Sequence, residues 1–330
     1  MRRFWNLVIL LVIIGVLTAC QPAAPTPVPE PSARVVKIAM GFIPNVQFTP
    51  FYVAIERGYF ADEGLVVELD YGMETDLLQQ VGSGALEFAV ASGDQVIIAR
   101  ASGMPVRYVA NWYRRFPVCI VSLAEAGITS PSALAGKTVG TPAMQGASYI
   151  GWEAFVRENN LVADAVKLQV IGYTQLASLV EGRVDAAICY AMNEPVQLEA
   201  QGEAIDVLYL DQYTALVSNG IITSDKLIAD DPELVARVVR AFTRGLADTI
   251  ADPQAAMLAT RRAIPEMDDE AAILQMAVLQ ECINFWQGTP LGSSDPQAWQ
   301  ESVTLLQDLG MLSAPLDPEQ LYTNQFVPQP

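Results

Sequence analysis

From residue 35 onward, short apolar runs alternate with stretches whose apolar residues recur at helical spacing. Runs 35–40, 65–69, 88–91 and 106–112 each predict a strand. Between them, 50–60 predicts a helix with Pro50 in its first turn, and 76–81 a helix closed by Gly82. Ser92-Gly93-Asp94 starts another. A second series follows, with strands at 137–140, 166–171 and 186–190. Its helices fall at 148–159, at 176–181 and from Asn193-Glu194-Pro195. Runs 207–210 and 215–223 are expected as strands returning to the first series. Strands separated by helices imply a mostly parallel sheet covered on both faces, an α/β class.

Beyond residue 230 the pattern is helical. Leu234, Val235, Val238, Val239, Phe242, Leu246 and Ile250 form one apolar face. Asp-Pro pairs at 231–232, 252–253, 295–296 and 317–318 repeat a cap-then-proline helix start. The two series are expected to be two lobes, 35–124 with 216–330 and 125–215. The chain would cross between them near 122–128 and 214–220. Ligands of open parallel sheets bind beyond the carboxyl ends of the strands. Segments 42–48, 92–95, 111–115, 143–149 and 190–194 are therefore expected to line a cleft.

The first thirty residues have another character. Arg2 and Arg3 precede an apolar run from Phe4 to Leu17, too short for an ordinary membrane span and suited to a signal peptide. It ends in Leu17-Thr18-Ala19-Cys20, which resembles the bacterial lipobox. Residues 1–19 are thus expected to be removed and Cys20 to be lipidated. Five prolines between positions 21 and 32 favour an extended polyproline segment. Residues 20–34 then make a tether, its proline-rich part 21–32 spanning roughly 35 Å, that holds the folded body off the outer face of the cell membrane.

Composition removes whole classes of function. Of 330 residues 52% are hydrophobic, which excludes disorder for most of the chain. A formal charge of −18 argues against nucleic acid as partner. There is no histidine, so no Ser-His-Asp or Cys-His nucleophile and no histidine metal site can form. Cys20, Cys119, Cys189 and Cys282 show no Cys-x-x-Cys spacing. The last three sit in apolar sequence and are expected as buried thiols. No catalytic residue, metal site or cofactor is expected, and binding without catalysis becomes the default.

The strand ends carry a resemblance. Gly41-Phe42-Ile43-Pro44-Asn45, Pro50-Phe51-Tyr52-Val53-Ala54 and Gly58-Tyr59-Phe60 resemble the opening of the thiamine-pyrimidine-precursor-binding family of ABC-importer solute-binding proteins. Ser92-Gly93-Asp94-Gln95, the run 134–140 and Asn193-Glu194-Pro195 follow in the family's order. Over about 35–250 the chain looks most like riboflavin-binding lipoproteins of this group. The resemblance implies a type II periplasmic-binding-protein fold, two α/β lobes closing on a ligand by hinge motion. It also implies a monomeric receptor with riboflavin as ligand, an ABC permease as partner and, through it, ATPase subunits. The same role for a thiamine pyrimidine precursor is the first alternative, and a nitrate- or sulfonate-type anion the second. The family includes a fungal pyrimidine synthase that consumes its own histidine and carries a cysteine-rich motif. This sequence has neither, which argues against an enzyme.

Individual residues admit two readings each. Asn45 can offer donor and acceptor to a heterocycle or cap the next helix. Asp94 can accept from a ring N–H or cap its own helix. Trp112, Tyr113, Tyr149 and Tyr190 can wall a flat ring or pack in the core, and Trp152 reads as core. Glu194, by the resemblance, faces the ligand; otherwise it is a first-turn acid favoured by the helix dipole. Arg114-Arg115 suits an anion, a docking contact or a solvated surface.

Overall fold

The computed structural model describes residues 33–162 and 165–328. The leader, Cys20 and nearly all of the tether lie outside the described residues. Along the first half run β1 (Arg34–Met40), α1 (Thr49–Glu56), α2 (Tyr59–Asp62), β2 (Leu65–Tyr71), α3 (Glu74–Ser83), β3 (Phe88–Ser92), α4 (Gly93–Ala101) and β4 (Val106–Asn111). Then come β5 (Val118–Leu123), β6 (Thr138–Thr141), α5 (Gly146–Glu158), β7 (Lys167–Val170), α6 (Gln175–Val180), β8 (Ala186–Tyr190), α7 (Glu194–Ala200) and β9 (Ile205–Tyr209). The chain ends with β10 (Asn219–Ser224) and helices α8 (Asp225–Asp230), α9 (Pro232–Ala251), α10 (Pro253–Ala263), α11 (Asp269–Trp286) and α12 (Pro296–Asp308).

Two five-stranded sheets result, ordered β2-β1-β3-β10-β4 and β7-β6-β8-β5-β9. Their patterns match. In each, the first three strands are parallel, and the fourth runs antiparallel to both neighbours. That fourth strand is the one arriving from the other sheet, which is why the sheets are mixed rather than all parallel. The first crossing therefore occupies 112–117, not 122–128. β5 pairs Cys119 with Cys189 and Tyr209, so it belongs to the second lobe and not to a first lobe ending at 124. β9 likewise pairs in the second sheet, and β10 alone makes the return, with the second crossing at about 210–218. An apolar run such as 118–123 reads the same in either lobe, because local pattern says nothing of the partner strand.

Two apolar clusters cover opposite faces of both sheets. Alternate residues of one strand divide between them: Val118 and Ile120 enter one, Cys119 and Val121 the other. All four Asp-Pro starts form as expected. Asp231, Asp252, Asp295 and Asp317 accept from the N–H groups of Leu234, Ala255, Gln297 and Glu319 at 2.9–3.1 Å. The α9 face packs on α1, with Leu234, Val235, Val238, Val239, Phe242 and Leu246 fully buried. Among the described residues no helix is long and apolar enough to cross a membrane.

Candidate functional site

The carboxyl ends of the parallel strands in both sheets carry the polar groups that meet between the lobes. After β1, Asn45 adopts an extended conformation and its Oδ1 accepts from Gln47 N–H at 2.9 Å, starting a short 3-10 turn, Val46–Phe48. This is the capping arrangement; it turns the next side chain, Gln47, across the gap. Gln47 Nε2 donates to Asn193 Oδ1 of the second lobe at 2.8 Å, and Tyr113 donates to Gln47 Oε1 at 3.3 Å. A hinge residue and both lobes thus join through one amide. Beside it the Tyr52 and Tyr71 hydroxyls meet at 3.1 Å. Burial raises both phenols above their usual range.

Farther in, the ends of β2 and β3 bring two acids together. Glu74, the first residue of α3, accepts from Ser92 N–H and Ser92 Oγ–H at 2.7 Å each. Asp94 is 4% exposed; its Oδ2 accepts from Gln95 Nε2 at 2.9 Å, and its Oδ1 is buried without a hydrogen-bond partner. Desolvation, then the Asp94 charge, pushes the Glu74 carboxyl up to about 7. Desolvation also raises Asp94. From the opposite lobe, Tyr190 ends β8, donates to Asn219 Oδ1 at 3.4 Å and feels both carboxylates. Exposed Phe42, Ile43 and Met73 on one lobe, and Met144 and Tyr173 on the other, follow the same strand ends.

The Glu74 shift has a consequence for stability. Its ordinary value is 4.5, so between about pH 4.5 and 7 the folded chain holds a proton that the unfolded chain has released. Stability from this group is therefore lost as pH rises through that window. Glu74→Gln cannot ionise, and its thermal midpoint is expected to gain on the wild type from pH 5 to pH 8. Parallel midpoint curves would show that Glu74 titrates normally.

The sequence-derived residues take different places. Asp94 and Tyr190 come together at the inner end, and Asn45 and Tyr113 join through Gln47. Trp112 is 1% exposed and ringed by Phe48, Phe51, Tyr113, Phe242 and Trp286 at centroid distances of 5.5–5.9 Å. It stands behind Tyr113 as core, because its ring is covered by protein on every side. Glu194 opens α7 beside Asn193; burial raises its carboxyl, and the nearby Cys189 thiol partly offsets that rise. Tyr149 is half-buried on the first turn of α5, where burial and the nearby Glu153 raise its phenol.

Neither arginine of the pair is left for an anion in the cleft. Arg114 donates to the Ser293 and Pro290 carbonyls, while Arg115 pairs with Asp211 and lies 4.5 Å over Phe285. Both line a cavity of about 160 Å³ between the crossings and α12. Cys119, Cys189 and Cys282 are buried free thiols, with the first two facing at 3.5 Å. Among the described residues no group of three acids or cysteines could hold a metal ion.

Gln47, Tyr52, Tyr71, Glu74 and Asn219 were not singled out by sequence. The turn after β2 obeys the same strand-end rule as the others, and applying it there would have found Glu74. Asn219 sits on an antiparallel strand, which that rule does not cover.

A family model described as NMT1/THI5 like matches residues 45–256. The chain is 40% identical to "Riboflavin-binding protein RibY" of Chloroflexus aurantiacus, over 96% of each chain. It is 29% identical to "Formylaminopyrimidine-binding protein" of Halalkalibacterium halodurans, over 98% of this chain and 99% of that one. Among solved structures, the periplasmic aliphatic sulphonate binding protein SsuA from Escherichia coli superposes with a TM-score of 0.70 at 13% identity, covering 87% of this chain and 97% of that one. The fold is that of the periplasmic binding proteins, two α/β lobes around a cleft.

Proposed function

Because the chain belongs to the NMT1/THI5-like family, we propose that it is the solute-binding subunit of an ABC importer and that its solute is riboflavin. The observation that carries this reading is the 40% identity with a riboflavin-binding protein along almost the whole of both chains. The cleft chemistry supports it. Tyr190 offers aromatic surface, and acids and amides from both lobes offer hydrogen-bond partners to a ring that is flat and neutral and carries two C=O groups, ring nitrogens and one N–H.

The protein captures its ligand outside the cytoplasmic membrane, held there by lipid on Cys20. Hinge bending at the two crossings closes the lobes, and the closed form delivers the ligand to the permease and, through it, to the ATPase subunits. It acts as a monomer and performs no chemistry. A second reading, a thiamine pyrimidine precursor in the same cleft, is favoured by the 29% identity with a formylaminopyrimidine-binding protein.

Titrating the purified, ligand-stripped protein into riboflavin is expected to quench flavin fluorescence saturably at one to one. Tyr190→Ala is expected to weaken binding by about ten- to a hundredfold, the worth of one aromatic contact with its hydrogen bond. No quenching by folded protein, with binding of the formylaminopyrimidine instead, would move the second reading to first place.

A further inference from the structure

Two acids at the inner end of the cleft stand against each other with no cation between them. The groups that act on Glu74 are Asp94 and the Ser92 hydroxyl and N–H, those that act on Asp94 are Gln95, Ser92 and the backbone N–H groups of 94 and 95, and Tyr108 of β4 and Tyr190 of β8 feel the Glu74 charge; no lysine or arginine is among them. Two like charges in a desolvated pocket repel strongly, so such a pair retains one proton. The hydrogen bonds say where. Ser92 fills Glu74 Oε1 with two donors, leaving Oε2 to carry a proton. Asp94 Oδ1 is enclosed, lacks a donor within hydrogen-bonding geometry and is built to accept one. An orphaned buried acceptor is destabilising, a cost that a ligand N–H would remove on binding.

We infer that Glu74 and Asp94 hold one proton between them and read a donor–acceptor edge of the ligand ring, neutral Glu74 donating to a ring carbonyl or nitrogen and ionised Asp94 accepting from the neighbouring N–H. This inference rests on the proposed reading that the cleft takes a flat nitrogen heterocycle. The imide edge of a flavin and the amino edge of an aminopyrimidine share that chemistry. The site therefore selects for a hydrogen-bonding edge rather than for ring area, and it couples capture to proton uptake. Ligand affinity falls as pH rises, because the ionised Glu74 would present a second negative acceptor to a ring carbonyl.

The test measures riboflavin affinity between pH 6 and pH 8.5, with the formylaminopyrimidine as a second arm. Wild type is expected to weaken by about thirtyfold over that range, following the loss of one proton. Glu74→Gln keeps a donor that cannot ionise and is expected to bind with a pH-independent constant. In Asp94→Asn the amide oxygen turns to Gln95 Nε2 and its NH2 faces the ligand N–H. Binding should drop at least tenfold, and the midpoint of the pH profile should fall because the repelling charge is gone. Riboflavin methylated on the imide nitrogen should bind at least tenfold more weakly than riboflavin. Thermal midpoints at pH 6 establish that each variant is folded; if Asp94→Asn is not, the Glu74→Gln slope decides. A flat wild-type profile, or a Glu74→Gln profile as steep as wild type, overturns the inference while leaving a riboflavin receptor standing. Binding of neither ligand at any pH overturns the receptor reading, and the inference with it.

Discussion

Trp112→Ala is expected to lose about 3–5 kcal/mol of stability, the range for removing a large aromatic ring from a packed core. The indole lies at the start of the first crossing, and five aromatic rings from five separate segments converge on it. Phe48 comes from the turn after β1, Phe51 from α1, Phe242 from α9 and Trp286 from the end of α11. Those segments cannot collapse together into the vacated volume, because each is anchored in its own element, so most of the cavity would remain. The indole N–H has no hydrogen-bond partner, so no polar loss adds to this figure. Urea unfolding should show a lower midpoint with an unchanged slope. A shift worth less than about 1 kcal/mol would mean that the neighbours repack. Variant that remains folded should also bind ligand more weakly, since Tyr113 and the turn carrying Gln47 lean on this ring.

Gly220→Ala is expected to cost at least about 3 kcal/mol, at or above the upper end of the usual penalty for overpacking. Gly220 lies in β10, the strand that returns to the first sheet between β3 and β4. A Cβ there would stand 2.1 Å from Tyr108 Cζ and Oη and 2.3 Å from the Ala110 carbonyl oxygen. Tyr108 cannot withdraw freely. Its hydroxyl donates to the Ser218 carbonyl and to Asn111 Oδ1 at 3.1 Å each, and its ring meets Trp299 edge-on at 5.1 Å. The Ala110 oxygen is backbone of the paired strand and can move only with β4. The neighbouring Asn219 also accepts from the N–H groups of Trp112 and Tyr113 and from the Tyr190 hydroxyl, so displacement of β10 reaches the cleft. A urea midpoint within error of wild type would show that strand and ring have room to part.

Much of the architecture was legible because it is local. The Asp-Pro pairs became helix caps, since an aspartate accepting from the first turn and a proline lacking an N–H suit a helix start wherever it lies. Element ends were less legible. The helix expected over 50–60 is broken at Gly58, with φ +75°, into α1 and α2. The helix expected to close at Gly82 runs on to Ser83 and ends at Gly84, with φ +80°. Two glycines separated by one residue offer the same signal, and only the packing around them selects one.

In the cleft the division follows the same line. Asp94 and Tyr190 could be named from their places after strands, yet their meeting across the lobes could not, because they come from different sheets. Glu74 drew no notice in the sequence; its raised carboxyl arises from burial and from Asp94, twenty residues away. Trp112 satisfied every local criterion for a ligand wall and is core, because its neighbours come from four distant helices and turns as well as from Tyr113. By itself, the sequence determined the α/β class, the helix starts, the strand ends where a ligand can bind and the absence of histidine chemistry, since these depend on residue type and short-range spacing. Only the tertiary structure decided which strand crosses between sheets, which rings are covered and which two acids must share a field, since pairing, burial and Coulomb repulsion act between groups that the chain brings together only when folded.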